Sequence, residues 1–317
     1  ENAAARICQK LALPAWTNRR YAKLDGKTLS AFILEHCSSP RGRWWATAKY
    51  RSDEGEDPDR VGLLGWLCGF KHYTERGAHA MSAHRIKHGA DALCRAMAAT
   101  LKGPVRLGCR LMKVVQGAQG VELHFEDAVV RADKAVLTLP PRLLEQLVFE
   151  PPLESERRCA IEAAGVGRTI KIALAYERPW WRERGWNGRM ICDGPLQQSW
   201  ECGLGEAPML SLYICGDEAA EWGSISDPVQ FAAAEMDRMW PGSLAELRGG
   251  RAHNWTEERF SLGGFSYLPP GYVIRHMKHL SSTLGAVHFA GEHTATYTGF
   301  IEGALESAER VSFELGS

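Results

Sequence analysis

A lysine in the middle of an alternating strand is the first residue of this chain that could do chemistry. In RTIKIALAY (168–176), Ile170, Ile172, Leu174 and Tyr176 share one strand face, and Lys171 shares the other with Ala173 and Ala175. The two alanines clear the space around a long cationic side chain. A lysine buried without partners tends to shed its proton, which suits a group that handles protons. A second candidate closes the chain, where VHFAGEHTATYTGFIEGALESAERV (287–311) reads as a short buried strand, a Gly291-Glu292 turn and a helix starting near Gly299. Along that helix Ile301, Ala304, Leu305, Ala308 and Val311 recur at three- and four-residue spacing. Gly303, Ala304, Ser307 and Ala308 are small, so this side is expected to pack closely. The free N–H groups of the first turn, around Phe300 to Glu302, carry partial positive charge and suit a cofactor group that becomes negative.

Such residues need a frame. Residues 1–80 read as mainly helical, through LSAFILEHC and VGLLGWLCGF, with polar breaks such as the acidic SDEGEDPDR. GADALCRAMAATL has helical spacing, whereas VRLGCRLMKVV and VELHFEDAVVRADKAVLTLPP alternate like strands, the last stopped by Pro140-Pro141. FEPPLESERRCAIEAAGVG places a helix between turns, and a second β region begins at RTIKIALAYERPWW. The fold class expected is α/β with α+β mixing.

Composition removes several function classes. The chain has 317 residues, 45% hydrophobic, with 38 basic and 38 acidic side chains, so no basic field invites nucleic acid or an anionic membrane. No apolar run approaches the roughly 18 residues of a membrane span, and the first residues lack a signal peptide's pattern. Nine scattered cysteines without a Cys-x-x-Cys pair read as mostly free thiols in a reducing compartment, the cytoplasm. There is no H-E-x-x-H, no G-x-S-x-G and no metal set. Nor is there a G-x-G-x-x-G; the nearest fragment, GVGRTI (165–170), leads into a strand and reads as a turn.

Three blocks, taken in order, resemble the flavin-containing amine oxidase family, most closely the monoamine oxidases. They are RTIKIALAYERPWWRERGWNGRM (168–190), NWTEERFSLGGFSYLPPG (254–271) and the closing Gly-Glu…Gly-Phe-Ile-Glu-Gly-Ala segment. The resemblance runs from about residue 85 to the C-terminus and is loose over 1–80. It implies part of a two-domain FAD-dependent fold with interleaved regions. Residues 1–80 would be a helical part of the substrate domain, 81–145 part of the FAD-binding domain, 146–270 the substrate domain with a mixed sheet, and 271–317 the C-terminal FAD-binding strand and helix.

The activity implied is oxidation of an amine C–N bond to an imine by hydride transfer to flavin N5. Lys171 would reach a water at N5, and Phe265 and Phe300 would face each other before the flavin and sandwich the amine. Where monoamine oxidases commonly have tyrosines there, two phenylalanines keep the apolar walls and lose the hydroxyl dipoles. Glu292, beside Gly291, would lie near the ribityl and pyrophosphate, the amides by Gly299, Phe300 and Ile301 near the pyrimidine edge, Leu111 near the adenine, and Trp255 beside the flavin ring. Gly264 stands where monoamine oxidases attach their flavin through cysteine, so the FAD is expected to be noncovalent.

Because the family's N-terminal glycine-rich unit is not in this sequence, an obligate partner chain carrying it is expected, as a separate product or a cleaved fragment. The alternatives are an L-amino-acid oxidase or other flavin dehydrogenase of the same superfamily and, from another class, a noncatalytic scaffold subunit. Retention of Lys171, the aromatic pair and Gly291-Glu292 argues against the scaffold.

Overall fold

Capping signals set the first helices. In the computed structural model, which describes residues 1–76, 84, 86–203, 205 and 207–316, the Thr28 hydroxyl accepts from Ala31 N–H to open the helix Leu29–His36. The Ser39 hydroxyl does the same for Pro40–Glu54, with Pro40 in the first turn. Gly55, at φ 68°, takes the left-handed conformation that ends this helix. The first three residues of SDEGEDPDR therefore belong to the helix. The remainder of that run is tied down by charge, since the buried Glu56 accepts two hydrogen bonds from Arg168, at 2.8 and 2.6 Å. The boundary expected between residues 80 and 81 falls outside the described residues.

The strands, in chain order, are β1 (Leu111–Gly117), β2 (Gly120–Phe125), β3 (Val129–Ala132), β4 (Ala135–Leu137), β5 (Val148–Glu150), β6 (Gly165–Val166), β7 (Thr169–Tyr176), β8 (Met190–Ile191), β9 (Gln198–Glu201), β10 (Met209–Cys215), β11 (Leu247–Asn254), β12 (Ser266–Tyr267) and β13 (Val287–Phe289). They form a four-stranded sheet ordered β3-β2-β1-β5, a five-stranded sheet ordered β11-β7-β10-β9-β8, and the pairs β12-β6 and β13-β4. Every pairing of the five-stranded sheet is antiparallel, and the sheet with a parallel pair is the four-stranded one, through β1 and β5.

Two apolar cores result. One gathers residues from 4–164 and again from 267–289; the other lies within 170–252. The second core uses the β7 face that carries Ile170, Ile172, Leu174 and Tyr176, covered by Ala232 and Met236 of the helix Pro228–Met239. The alternation read from RTIKIALAY thus assigns the strand faces correctly, and Lys171 projects from the opposite side with its cross-strand neighbours Tyr213 and His253.

The closing helix, Ile301–Gly316, packs through its small residues and Val311 and leaves the larger apolar residues of its first turns outward. Gly303, Ser307 and Val311 are buried, while Ile301 and Leu305 are 56% and 45% exposed. Close approach decides this. A Cβ on Gly303 would lie 1.8 Å from the Tyr297 carbonyl oxygen, and the Ser307 hydroxyl accepts from Gly291 N–H at 2.9 Å. The small residues take the contact, and the larger apolar ones are left outward.

Candidate active site

Phe265 is fixed by backbone before its ring does anything. Gly167 N–H donates to its carbonyl at 2.8 Å, and Gly264 N–H donates to the Gly167 carbonyl at 2.9 Å. The chain on either side of the ring has no room for side chains. A Cβ on Gly55 would lie 2.9 Å from the ring, and one on Gly299 3.0 Å from it. Gly299 immediately precedes Phe300, so the two phenylalanines are brought together. The ring stacked on Phe300, however, is that of Tyr297, at 4.5 Å and 19°. Tyr297 in turn stacks on His72 at 5.1 Å.

Glu292 couples the two aromatic loops. One carboxylate oxygen accepts from Ser266 N–H at 3.0 Å and the other from Gly299 N–H at 2.6 Å. Burial raises its pKa, and these two hydrogen bonds oppose the rise. Beside it His293 is buried, its Nε2 has no hydrogen-bond partner among the described residues, and burial pushes its pKa down to about 4, helped by Arg310.

Two cavities meet at Phe265 and Ser266. The larger, about 1610 Å³, is lined by Phe265 and Phe300 together with Tyr50, Glu54, Trp200 and Arg189. The smaller, about 390 Å³, is walled by Gly263, Gly264, Gly291, Glu292 and His293. Its glycines are backed so closely that a Cβ would meet Val166 at 2.2 Å from Gly263, Thr169 at 2.4 Å from Gly264, and His293 at 2.4 Å from Gly291. That leaves a wall of bare backbone with one half-buried carboxylate at its base.

Lys171 stands over two rings, with Nζ 4.9 Å from the Trp200 centroid and 4.8 Å from that of Tyr213. Its surface is open to solvent space although protein crowds it on most sides. The crowding governs its charge, and desolvation lowers its pKa. The two ring faces partly oppose this, because they favour the cation. Among the described residues no carboxylate pairs with it. Trp255 is linked to the same strand, since its N–H donates to the Thr169 carbonyl at 3.0 Å, and its ring meets His253 edge-on at 4.4 Å.

The remaining expected residues sit further out. Leu111 begins β1, opposite Phe125, and packs on the first core. Ile301 opens the closing helix, and neither residue lines either of these two cavities. Glu54, Trp200, Tyr213 and Tyr297 were not singled out from sequence. Only Glu54 carried a signal, as an acidic residue directly before a helix-ending glycine.

The chain belongs to the flavin-containing amine oxidoreductase family, whose model matches residues 8–315. The likeness thus extends through the N-terminal helices. Among relatives, an L-amino acid dehydrogenase of Synechocystis sp. is 25% identical over 90% of this chain and 63% of its own length. A flavin-containing amine oxidase of Danio rerio is 25% identical over 95% and 60% respectively. The chain therefore spans less than two thirds of these relatives. Cyclohexylamine oxidase from Brevibacterium oxydans shares the fold, with a TM-score of 0.85 at 22% identity over all of this chain and 74% of the other.

FAD is the cofactor that this membership carries, and the smaller cavity suits part of it. Bare glycine backbone accommodates a flat ring, and Glu292 can accept from hydroxyls beyond its two backbone donors. Attachment is noncovalent. All nine cysteines are free, none lines either cavity, and Thr169 crowds the Gly264 position. Among the described residues no cluster of His, Cys, Asp and Glu could hold a metal, and no helix is long and apolar enough to cross a membrane.

Proposed function

We propose that this chain forms the substrate side and part of the flavin side of an FAD-dependent oxidoreductase that converts a small-molecule amine to an imine. The observation that carries this is the joining of the two cavities at Phe265, with Phe300 on the substrate side and Glu292 on the cofactor side. When bound, the flavin supplies a two-electron acceptor. Phe265 and Phe300 hold the amine between apolar walls, and Lys171, whose pKa crowding lowers, takes or gives a proton nearby. Leu111, Trp255 and Ile301 belong to the outer cofactor contacts in this reading.

The phosphate-binding glycine turn is assigned to residues outside 1–317, either on a longer form of the same polypeptide or on a partner chain. The outward Ile301 and Leu305 offer an apolar surface for that unit. A reducing, cytoplasmic location suits nine free thiols.

A second reading, oxidation of an L-amino acid, is favoured by Arg189. It lines the larger cavity, and its guanidinium has no carboxylate partner among the described residues. The test of the main reading is anaerobic mixing of the flavin-loaded protein with primary amines and L-amino acids. Bleaching of flavin absorbance by amines supports it, bleaching by amino acids alone moves the assignment to the second reading, and no bleaching by either removes both.

A further inference from the structure

Glu54 is in the wrong place for an ordinary carboxylate. It is the last residue of the helix Pro40–Glu54, where the macrodipole disfavours negative charge. It also lines the larger cavity. Among the described residues none gives it a hydrogen bond or ion pair. Of the cations nearby, Lys49 pairs with Asp53 at 2.6 Å, Arg51 with Asp57 at 2.5 Å, and Arg182 with Glu201 at 2.5 Å; Arg189 lines the same cavity without a carboxylate partner among the described residues, and no ion pair joins it to Glu54. The facing strand contributes Tyr213, within electrostatic reach. Some of the Glu54 surface stays open to the cavity, while protein encloses the rest. Burial first, then the Asp53 charge, pushes its pKa up to about 8, against a lowering by Lys49.

A solvated carboxylate would escape this position, but Gly55 prevents it. Gly55 takes a left-handed turn, abuts the Phe265 ring, and has its carbonyl oxygen 2.8 Å from where a Cβ on Gly167 would stand. The Glu54 backbone is thereby locked one residue from the aromatic site. A desolvated acid held there is costly unless a cation is meant to meet it.

We propose that Glu54 is the recognition group for the substrate's ammonium, and that it selects alkylammonium ions over zwitterionic amino acids of the same chain length. The proposal rests on the oxidoreductase reading for its substrate class. The ionised carboxylate attracts an ammonium and repels a carboxylate, so a free amine gains the full attraction and an amino acid only part of it.

The probes are pentylamine and L-norleucine, which differ by one carboxylate. Binding to the flavin-loaded protein is followed by fluorescence of the cavity tryptophans, including Trp200, and turnover by anaerobic flavin bleaching. In the wild type, pentylammonium is expected to bind about tenfold more tightly at pH 9 than at pH 6.5, as Glu54 ionises and the ligand stays cationic. Glu54→Gln is expected to weaken pentylammonium binding at pH 9 by about tenfold, flatten the pH dependence and change norleucine affinity by less than about threefold. Glu54→Asp keeps the charge and should keep the pH dependence, which separates recognition from a folding defect. Unchanged affinity and pH profile in Glu54→Gln overturn the proposal even if pentylamine still bleaches the flavin. Glu54-dependent binding without bleaching leaves the proposal standing and removes the oxidoreductase reading instead.

Discussion

Glu292 holds Gly299 N–H at 2.6 Å with one carboxylate oxygen while its other oxygen holds Ser266 N–H, so one half-buried side chain spaces the loops of both cavity phenylalanines. Glu292→Gln keeps an acceptor for one loop and turns an amide NH2 toward the other backbone donor. The loss expected is roughly 1.5–3 kcal/mol, the worth of a hydrogen bond to a charged group. The variant should melt earlier and retain less flavin after gel filtration. Wild-type melting and flavin content would show that the two loops are held apart by something else.

Lys171 tests the proton-handling role. Lys171→Met removes the amine but keeps an unbranched chain over the Trp200 and Tyr213 rings. Flavin content should be unchanged, while flavin reduction by amine or its reoxidation slows by about 10²-fold or more, within the usual range for a positioned acid or base. Stopped-flow traces separate the two half-reactions, and equal rates in both would take the role away from Lys171.

The legible part of the site was the part that local pattern encodes. Alternation placed Lys171 on the face opposite Ile170 and Ile172, and the Gly291-Glu292 turn before a helix followed from strand, glycine and periodicity. What stayed hidden was set by contacts between distant segments. Glu54 shows in the sequence only as an acid before a helix-ending glycine, because the fold alone brings the end of Pro40–Glu54 against Phe265, more than two hundred positions later. The outward turn of Ile301 and Leu305 was not legible either, because the close approach of Gly303 to the Tyr297 carbonyl sets it. Tyr297 and Trp200 gave no sign, since an aromatic in a strand or loop looks the same whether it lines a core or a cavity.

Gly264 is as much a packing requirement as a mark of flavin attachment. A Cβ there would stand 2.4 Å from the Thr169 hydroxyl oxygen and 3.0 Å from its methyl carbon, and overpacking of this kind costs about 1–3 kcal/mol. Gly264→Ala should therefore lower the melting temperature, and adding Thr169→Ala should recover most of the loss. Because attachment is noncovalent, acid precipitation of the wild type should also release all the flavin. Colour left in the pellet would contradict that, and additive effects of the two substitutions would contradict the packing account.

His293 predicts how the fold responds to acid. Its pKa is pushed down from 6.5 to about 4 by burial, so the folded protein keeps the ring neutral where the unfolded chain would protonate it. For a histidine whose folded value is depressed, stability is complete above the unfolded pKa and falls as pH drops from there toward the folded one. Between pH 7 and pH 5 this single group removes about 2 kcal/mol, taking 1.36 kcal/mol per unit. Other carboxylates and histidines add their own slopes, so the test is a difference. Melting temperatures of the wild type and of His293→Gln, followed from pH 7.5 to pH 5, should converge as the pH falls, because only the wild type carries the penalty. A constant gap between the two curves would mean that water or a neighbouring acceptor reaches Nε2 and lets the ring take its proton within the fold.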